Sequence, residues 1–289
     1  MKKIYLIIMV GVFVLSLTTG VFAQGTLEKI SKSGEFVVGV RDGAIPFAFI
    51  SKDNENVGFS VDMAREFHKG LEKQLGKPLK LTWKTTNPKT RIPLVANGTI
   101  DIECGSTTHT VDREETVDFT ITVFITGTQL LVKKGSGIKN DKDLPGKKVG
   151  AAQGSTNEKA IRDLNEKGVI KPPANIVVYQ EHSQGFLALQ RGILDAYCTD
   201  GILLAGLKAK APKPEEFEVV GDLITYDPYA YIVRENDSNF RDFINIQIIN
   251  MIKDGRFLKN YEKWFGPNGT VPYPMSEEFK ILLKLQAWP

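Results

Sequence analysis

Two stretches decide the fold: "FTITVFITGTQLLVKKG" (119–135) and "LITYDPYAYIVREN" (223–236). Both are long and rich in β-forming residues, and together they bracket a segment of roughly 100 residues. That segment predicts a second lobe, with the C-terminal helices returning to the first. Two connections passing between lobes make a hinge with a cleft. The expected limits are lobe 1 over 24–124, lobe 2 over 125–227, and lobe 1 again over 228–289.

On either side of these crossings, strands and helices alternate. "EFVVGV" (35–40) is a short apolar run ending at Arg41, as in a strand buried on both faces. Val61, Ala64, Phe67, His68 and Leu71 then recur at helical spacing until Gly76. "LKLTW" (79–83) predicts the next strand, "TRIPLVANG" a short helix ended by Gly98, and "TIDIECG" another strand. In the second lobe the unit repeats. "KKVGAA", "NIVVYQ" and "LDAYCTD" predict strands, each followed by a helical stretch. The fold class is α/β: two lobes, each a mostly parallel sheet flanked by helices.

The chain starts with the basic "MKK", an apolar run from Ile4 to Leu17, and "TTGVFA", where Val21 and Ala23 fit a signal-peptidase site. Residues 1–23 therefore read as a cleaved signal peptide and place the protein in the periplasm. The rival reading is an uncleaved anchor, since the apolar run approaches spanning length. Removing Lys2 and Lys3 from the 37 basic residues leaves them nearly balanced by 34 acidic ones. Such a balance gives no field to hold nucleic acid or an anionic membrane. Cys104 and Cys198 are too few for a disulfide scaffold and are expected to be free thiols.

In open α/β sheets ligands bind at the carboxyl ends of the strands. Here the polar residues fall at those ends. Arg41 follows 36–40; Ser106 and Thr108 follow 100–104; Gln153, Ser155 and Thr156 follow 148–152; Asp200 follows 195–199. "DIECGSTTHTVDREE" (101–115) crowds Ser106, Thr107, Thr108 and Thr110 ahead of Arg113. Hydroxyls and a guanidinium at a strand exit suit capture of a small carboxylate. Taken singly, Asp200 is a helix N-cap, the threonines are turn residues, and an arginine is a solvated charge. An arginine at the end of an apolar strand, facing a cleft, is better explained by a carboxylate partner.

"VGVRDGAIPFAF", "VGFSVDMAREF", "RIPLVANGTIDIECGSTTHTVDREETVDFT", "DLPGKKVGAAQGST" and "IKDGRFLKNYEKWFG" resemble, in order, the periplasmic solute-binding proteins (family 3) of polar amino-acid ABC transporters. "ECGSTT", the arginine after "VGV", and "RIPL" are most similar to the glutamate/aspartate-binding receptors. The resemblance implies a ligand-binding set of Arg41, Arg91, Ser106, Thr108, Arg113, Thr156, His182 and Asp200. It implies that Arg113, Thr108 and Thr156 hold the α-carboxylate, and Asp200 with Ser106 the α-ammonium. Arg41 and His182 would lie at the distal carboxylate, with Arg91 a less specific member. "TTNPKTR" departs from the subgroup, putting Pro88 where a serine would donate and leaving Thr86, Asn87 or Thr90 to substitute. Counting Arg41, Arg91 and Arg113 against Asp200 gives a positive site, which fits L-glutamate or L-aspartate.

The implied partners are L-glutamate or L-aspartate and the membrane permease of an ABC importer. A monomer with no metal and no cofactor is expected. An enzyme would need a base or nucleophile with an orienting partner. His68, His109 and His182 are scattered, with neither a zinc-ligand spacing nor a G-x-S-x-G elbow. A broad-specificity polar amino-acid receptor is the nearer rival.

Overall fold

The structure, a computed structural model, describes residues 25–287. The signal peptide assigned to 1–23 lies outside the described residues. Helix α1 (Thr26–Ser33) leads into β1 (Glu35–Val40). A small three-stranded sheet follows: β2 (Gly43–Ala44), β3 (Ala48–Ile50) and β4 (Asn56–Val57). Next come α2 (Phe59–Leu75), β5 (Lys80–Thr85), α3 (Arg91–Ala96), β6 (Ile102–Glu103), α4 (Val111–Glu114) and β7 (Val117–Phe119). Strand β8 (Phe124–Thr126) carries the chain over to β9 (Thr128–Lys133), β10 (Lys148–Ala152), α5 (Thr156–Glu166) and β11 (Asn175–Tyr179). Helix α6 (His182–Gln190), β12 (Ala196–Asp200), α7 (Gly201–Ala209) and β13 (Phe217–Val220) complete the second lobe. Strand β14 (Asp227–Tyr229) returns to β15 (Ile232–Arg234), α8 (Ser238–Lys253), α9 (Arg256–Phe265) and α10 (Glu277–Gln286).

Each lobe holds a five-stranded sheet, in the orders β5-β1-β6-β15-β7 and β11-β10-β12-β9-β13. In each, the strand that receives the chain after a crossing, β15 or β9, runs against its neighbours, and the other four share one direction. The reversal follows from where the crossings enter. Thr128 at the start of β9 opposes Asp200 at the end of β12, and Ile232 at the start of β15 opposes Glu103 at the end of β6. Crossings and strand exits therefore share one side of each sheet, which becomes the cleft.

The crossing strands β8 and β14 pair with each other, antiparallel, with Thr126 opposite Asp227 and Phe124 opposite Tyr229, and Tyr229 also bridges to Thr108. Their lobe-1 ends are pinned by aromatic packing. Phe47 lies 4.9 Å from the Phe124 ring and 5.2 Å from the Tyr229 ring, both edge-on. Phe59 and Phe265 pack around the same cluster.

Local sequence explains the supports of the site. Helix α2 buries Val61, Ala64, Phe67 and Leu71 and stops where Gly76 turns left-handed at φ 65°. Burying each of its larger apolar side chains contributes about 1.5–3 kcal/mol. Strand β6 is shorter than the 99–105 run suggests. It ends at Glu103 because residues 105–108 leave the ladder for other partners. The Gly105 carbonyl accepts from Ser60, the Ser106 carbonyl accepts from Arg91, and the Thr107 carbonyl accepts from Ala230 N–H. Cys104 and Cys198 are both free and buried in separate packing clusters.

Candidate ligand-binding site

The lobes meet directly over the strand exits. Arg41 Nη2, beyond β1, donates to Glu181 Oε2 of lobe 2 at 2.7 Å. Thr108 Oγ1 and Thr156 Oγ1 face each other across the cleft at 3.3 Å, and Arg113 Nη2 reaches the Gly154 carbonyl at 3.4 Å. On α7, a methyl group built on Gly206 would overlap the carbonyl oxygen of Ile45, so the facing backbones touch there. This is a closed cleft.

Three guanidiniums line it. Arg41 and Arg91 are buried at 1% and 3% exposure, and Arg113 is half-buried. Arg91 donates through Nη1 to the Ser106 carbonyl at 3.1 Å, and Arg113 through Nη1 to the Thr108 carbonyl at 2.6 Å. Burial lowers Arg91 to about 9, and the neighbouring Arg113 and Arg41 push it the same way, while Glu103 opposes them. The Nε atoms of Arg41 and Arg91 and the Ser106 hydroxyl are buried without a hydrogen-bond partner among the described residues. Each is a buried donor, and an unpaired buried donor is costly.

Asp200 occupies the N-cap position of α7 but makes no side-chain cap. Its Oδ1 accepts from Asn157 Nδ2 at 2.9 Å and its Oδ2 from the Tyr229 hydroxyl on crossing strand β14. Burial and the nearby Asp227 raise its carboxyl to about 7, against the lowering effect of those two hydrogen bonds. A plain helix cap does not explain this carboxylate.

The hydroxyls of 106–110 divide by role. Thr107 donates to buried Glu103 at 2.6 Å, and Thr110 caps α4 by accepting from Arg113 N–H, so both serve the scaffold. Thr108 meets Thr156 across the cleft, and the Ser106 hydroxyl is buried without a hydrogen-bond partner among the described residues. Thr156 opens α5, whose cap is the neighbouring Ser155. His109 stacks on Phe119 and pairs with Glu114, away from these contacts. His182 is buried at the start of α6, its Nδ1 3.0 Å from the Tyr197 hydroxyl. Burial, with Arg41 and Arg91 adding to it, holds its imidazole well below 6.5 and therefore neutral at pH 7. Around Pro88, Thr86 donates to the Val40 carbonyl, Asn87 accepts from Lys89 and Thr90 N–H, and Thr90 accepts from Asn87 N–H. Thr86 thus commits its hydroxyl proton, while the Asn87 and Thr90 side chains serve here as acceptors.

Four further side chains stand among these contacts and outside the set expected from sequence: Glu181, Glu103, Asn157 and Tyr229. Two of them correct the charge count. Glu181 pairs with Arg41, and Glu103 lies within the field of Arg91 and Arg113, so three guanidiniums do not face Asp200 alone.

The family model for bacterial extracellular solute-binding proteins, family 3, matches residues 36–267. An L-glutamate/L-aspartate-binding protein of Pseudomonas aeruginosa is 37% identical over 90% of this chain and 87% of its own. A glutamine-binding protein of a Bacillus subtilis ABC transporter is 32% identical over 91% of this chain and 97% of its own. An ancestral arginine-binding protein, solved with arginine, superposes with a TM-score of 0.73 at 32% identity, covering 81% of this chain and 99% of that one. A two-lobed α/β frame, two crossing strands and a closed cleft walled by strand exits thus accompany similarity along nearly the whole described chain: the protein belongs to the bacterial extracellular solute-binding proteins of family 3.

Proposed function

We propose that this protein captures L-glutamate or L-aspartate between its lobes and delivers it to the membrane permease of an ABC importer, without catalysing a reaction. The observation that carries the acidic ligand is the pair of buried guanidiniums, Arg41 and Arg91, whose Nε donors have no partner among the described residues. A distal carboxylate supplies what they need, and buried His182 closes that end as a neutral hydrogen-bonding group. The α-carboxylate goes to Arg113, Thr108, Thr156 and the free N–H groups opening α5. The α-ammonium goes to Asp200 and Ser106. Export through the 1–23 leader puts the protein in the periplasm, where it works as a monomer.

One observation favours a second reading, a polar amino-acid receptor that also takes glutamine. Arg41 already has a carboxylate in Glu181, which makes that end of the cleft less positive than three arginines imply. Calorimetric titration of the protein, stripped of ligand by unfolding and refolding, tests the choice. Glutamate or aspartate should bind at least about tenfold, or 1.4 kcal/mol, more tightly than glutamine and asparagine. Equal affinities would replace the acidic-ligand reading with the broader one.

A further inference from the structure

We propose that Glu181 is a specificity-determining residue, a built-in carboxylate that competes with the ligand's distal carboxylate for Arg41. The proposal rests on the assignment of Arg41, Arg91 and His182 to the ligand's side-chain end.

Glu181 belongs to the opposite lobe from Arg41, 140 residues away in sequence, yet its Oε2 takes the Arg41 Nη2 proton donor at 2.7 Å. The Arg41 side chain is 1% exposed and that of Glu181 14%, so water screens the pair little. The segment carrying Glu181 is held in place. Glu181 N–H donates to Gln184 Oε1, and the next residue, His182, is buried with its ring against the Tyr197 hydroxyl. Arg91 also falls within the electrostatic reach of Glu181. Its carboxylate is therefore an acceptor set among the groups assigned to the ligand's side chain.

Two consequences follow for ligand choice. A ligand carboxylate brought to Arg41 meets a second negative charge in a poorly screened place, which opposes it. A ligand amide meets an acceptor in Glu181 and donors in the arginines, which match its N–H and C=O groups. Glu181 thus narrows the preference for acids over amides that the arginines create. Selectivity in the site is a balance between an attractive and a repulsive element.

Glu181→Gln keeps the size and removes the charge; Glu181→Asp keeps the charge. Glutamate and glutamine are titrated into the stripped wild type and both variants, with circular dichroism and thermal melting to establish folding. The glutamate-to-glutamine affinity ratio should rise about tenfold or more in Glu181→Gln and stay within about threefold of wild type in Glu181→Asp. A folded Glu181→Gln with an unchanged or lower ratio overturns the proposal and leaves the acidic-ligand reading standing. A wild type that prefers glutamine refutes the acidic-ligand reading, while the ratio in Glu181→Gln must still rise for this proposal to survive. A wild type that binds neither ligand overturns both. If Glu181→Gln does not fold, Glu181→Ser takes its place with the same expected direction.

Discussion

Replacing Asp200 by Asn separates two effects of one carboxylate. Asp200 is 3% exposed, accepts from Asn157 and Tyr229, and is raised to about 7 mainly by burial, then by Asp227. In the unfolded chain the same group titrates near its ordinary value of 3.8. Because the folded value is the higher one, stability of the ligand-free closed form falls as pH rises from about 4 to about 7 and is flat above that. The shift of about three pH units amounts to about 4 kcal/mol. A bound ammonium needs the ionised carboxylate, so binding below pH 7 must expel a proton. Amino-acid affinity should then weaken about 25-fold between pH 7.5 and pH 5.5. Glu181 also titrates upward through burial, so the variant is the necessary control. Asp200→Asn should lose about 2–5 kcal/mol of affinity at pH 8 for every amino acid tested. It should lose the Asp200 share of the pH dependence and should melt higher than wild type at pH 8 without ligand. Calorimetry in two buffers of different ionisation enthalpy counts the released proton at pH 6; about one is expected in wild type and a small fraction in the variant. A wild type with pH-independent affinity from 5.5 to 7.5, or an Asp200→Asn that binds normally, would refute the ammonium assignment.

Arg41→Ala should weaken glutamate by about 2–4 kcal/mol and glutamine by much less, moving their affinity ratio opposite to Glu181→Gln. Calorimetry reads both ligands, and a preserved ratio would place Arg41 outside the recognition of the side chain. Gly206→Ala puts a methyl group into the Ile45 carbonyl across the cleft. It should cost about 1–3 kcal/mol of affinity for all ligands alike and leave the ligand-bound radius of gyration in small-angle scattering larger than wild type. An unchanged radius with full affinity would mean the lobes do not close through this contact.

How much of this was legible in the chain depends on whether a residue's partner is local. The exits of β1, β6, β10 and β12 could be located from runs of apolar residues, and the rule that ligands meet sheets at carboxyl ends pointed to Arg41, Ser106, Thr108, Thr156 and Asp200. The crossings were legible for the same reason: β8 and β14 sit inside runs too long for one strand each, at 119–135 and 223–236. The small sheet β2–β4 gave no such signal, since its strands are two or three residues long and have no period to show. Glu181 stands at a further strand exit, after β11, so the same rule reaches it. Sequence alone makes it a solvated charge, because its partner Arg41 lies in the other lobe, 140 residues away in the chain. Asp200 shows the converse case. Its neighbour Gly201 opens a helix, which makes a cap the natural local reading. The carboxylate instead turns to Asn157 and to Tyr229 of the crossing strand. A helix cap and a carboxylate held by distant side chains share one sequence signal and differ in where the oxygens point, and only tertiary contacts separate them. Pairs between the lobes, such as Arg41 with Glu181, are therefore contacts that a rule locating strand exits cannot assign, since it gives positions and not partners.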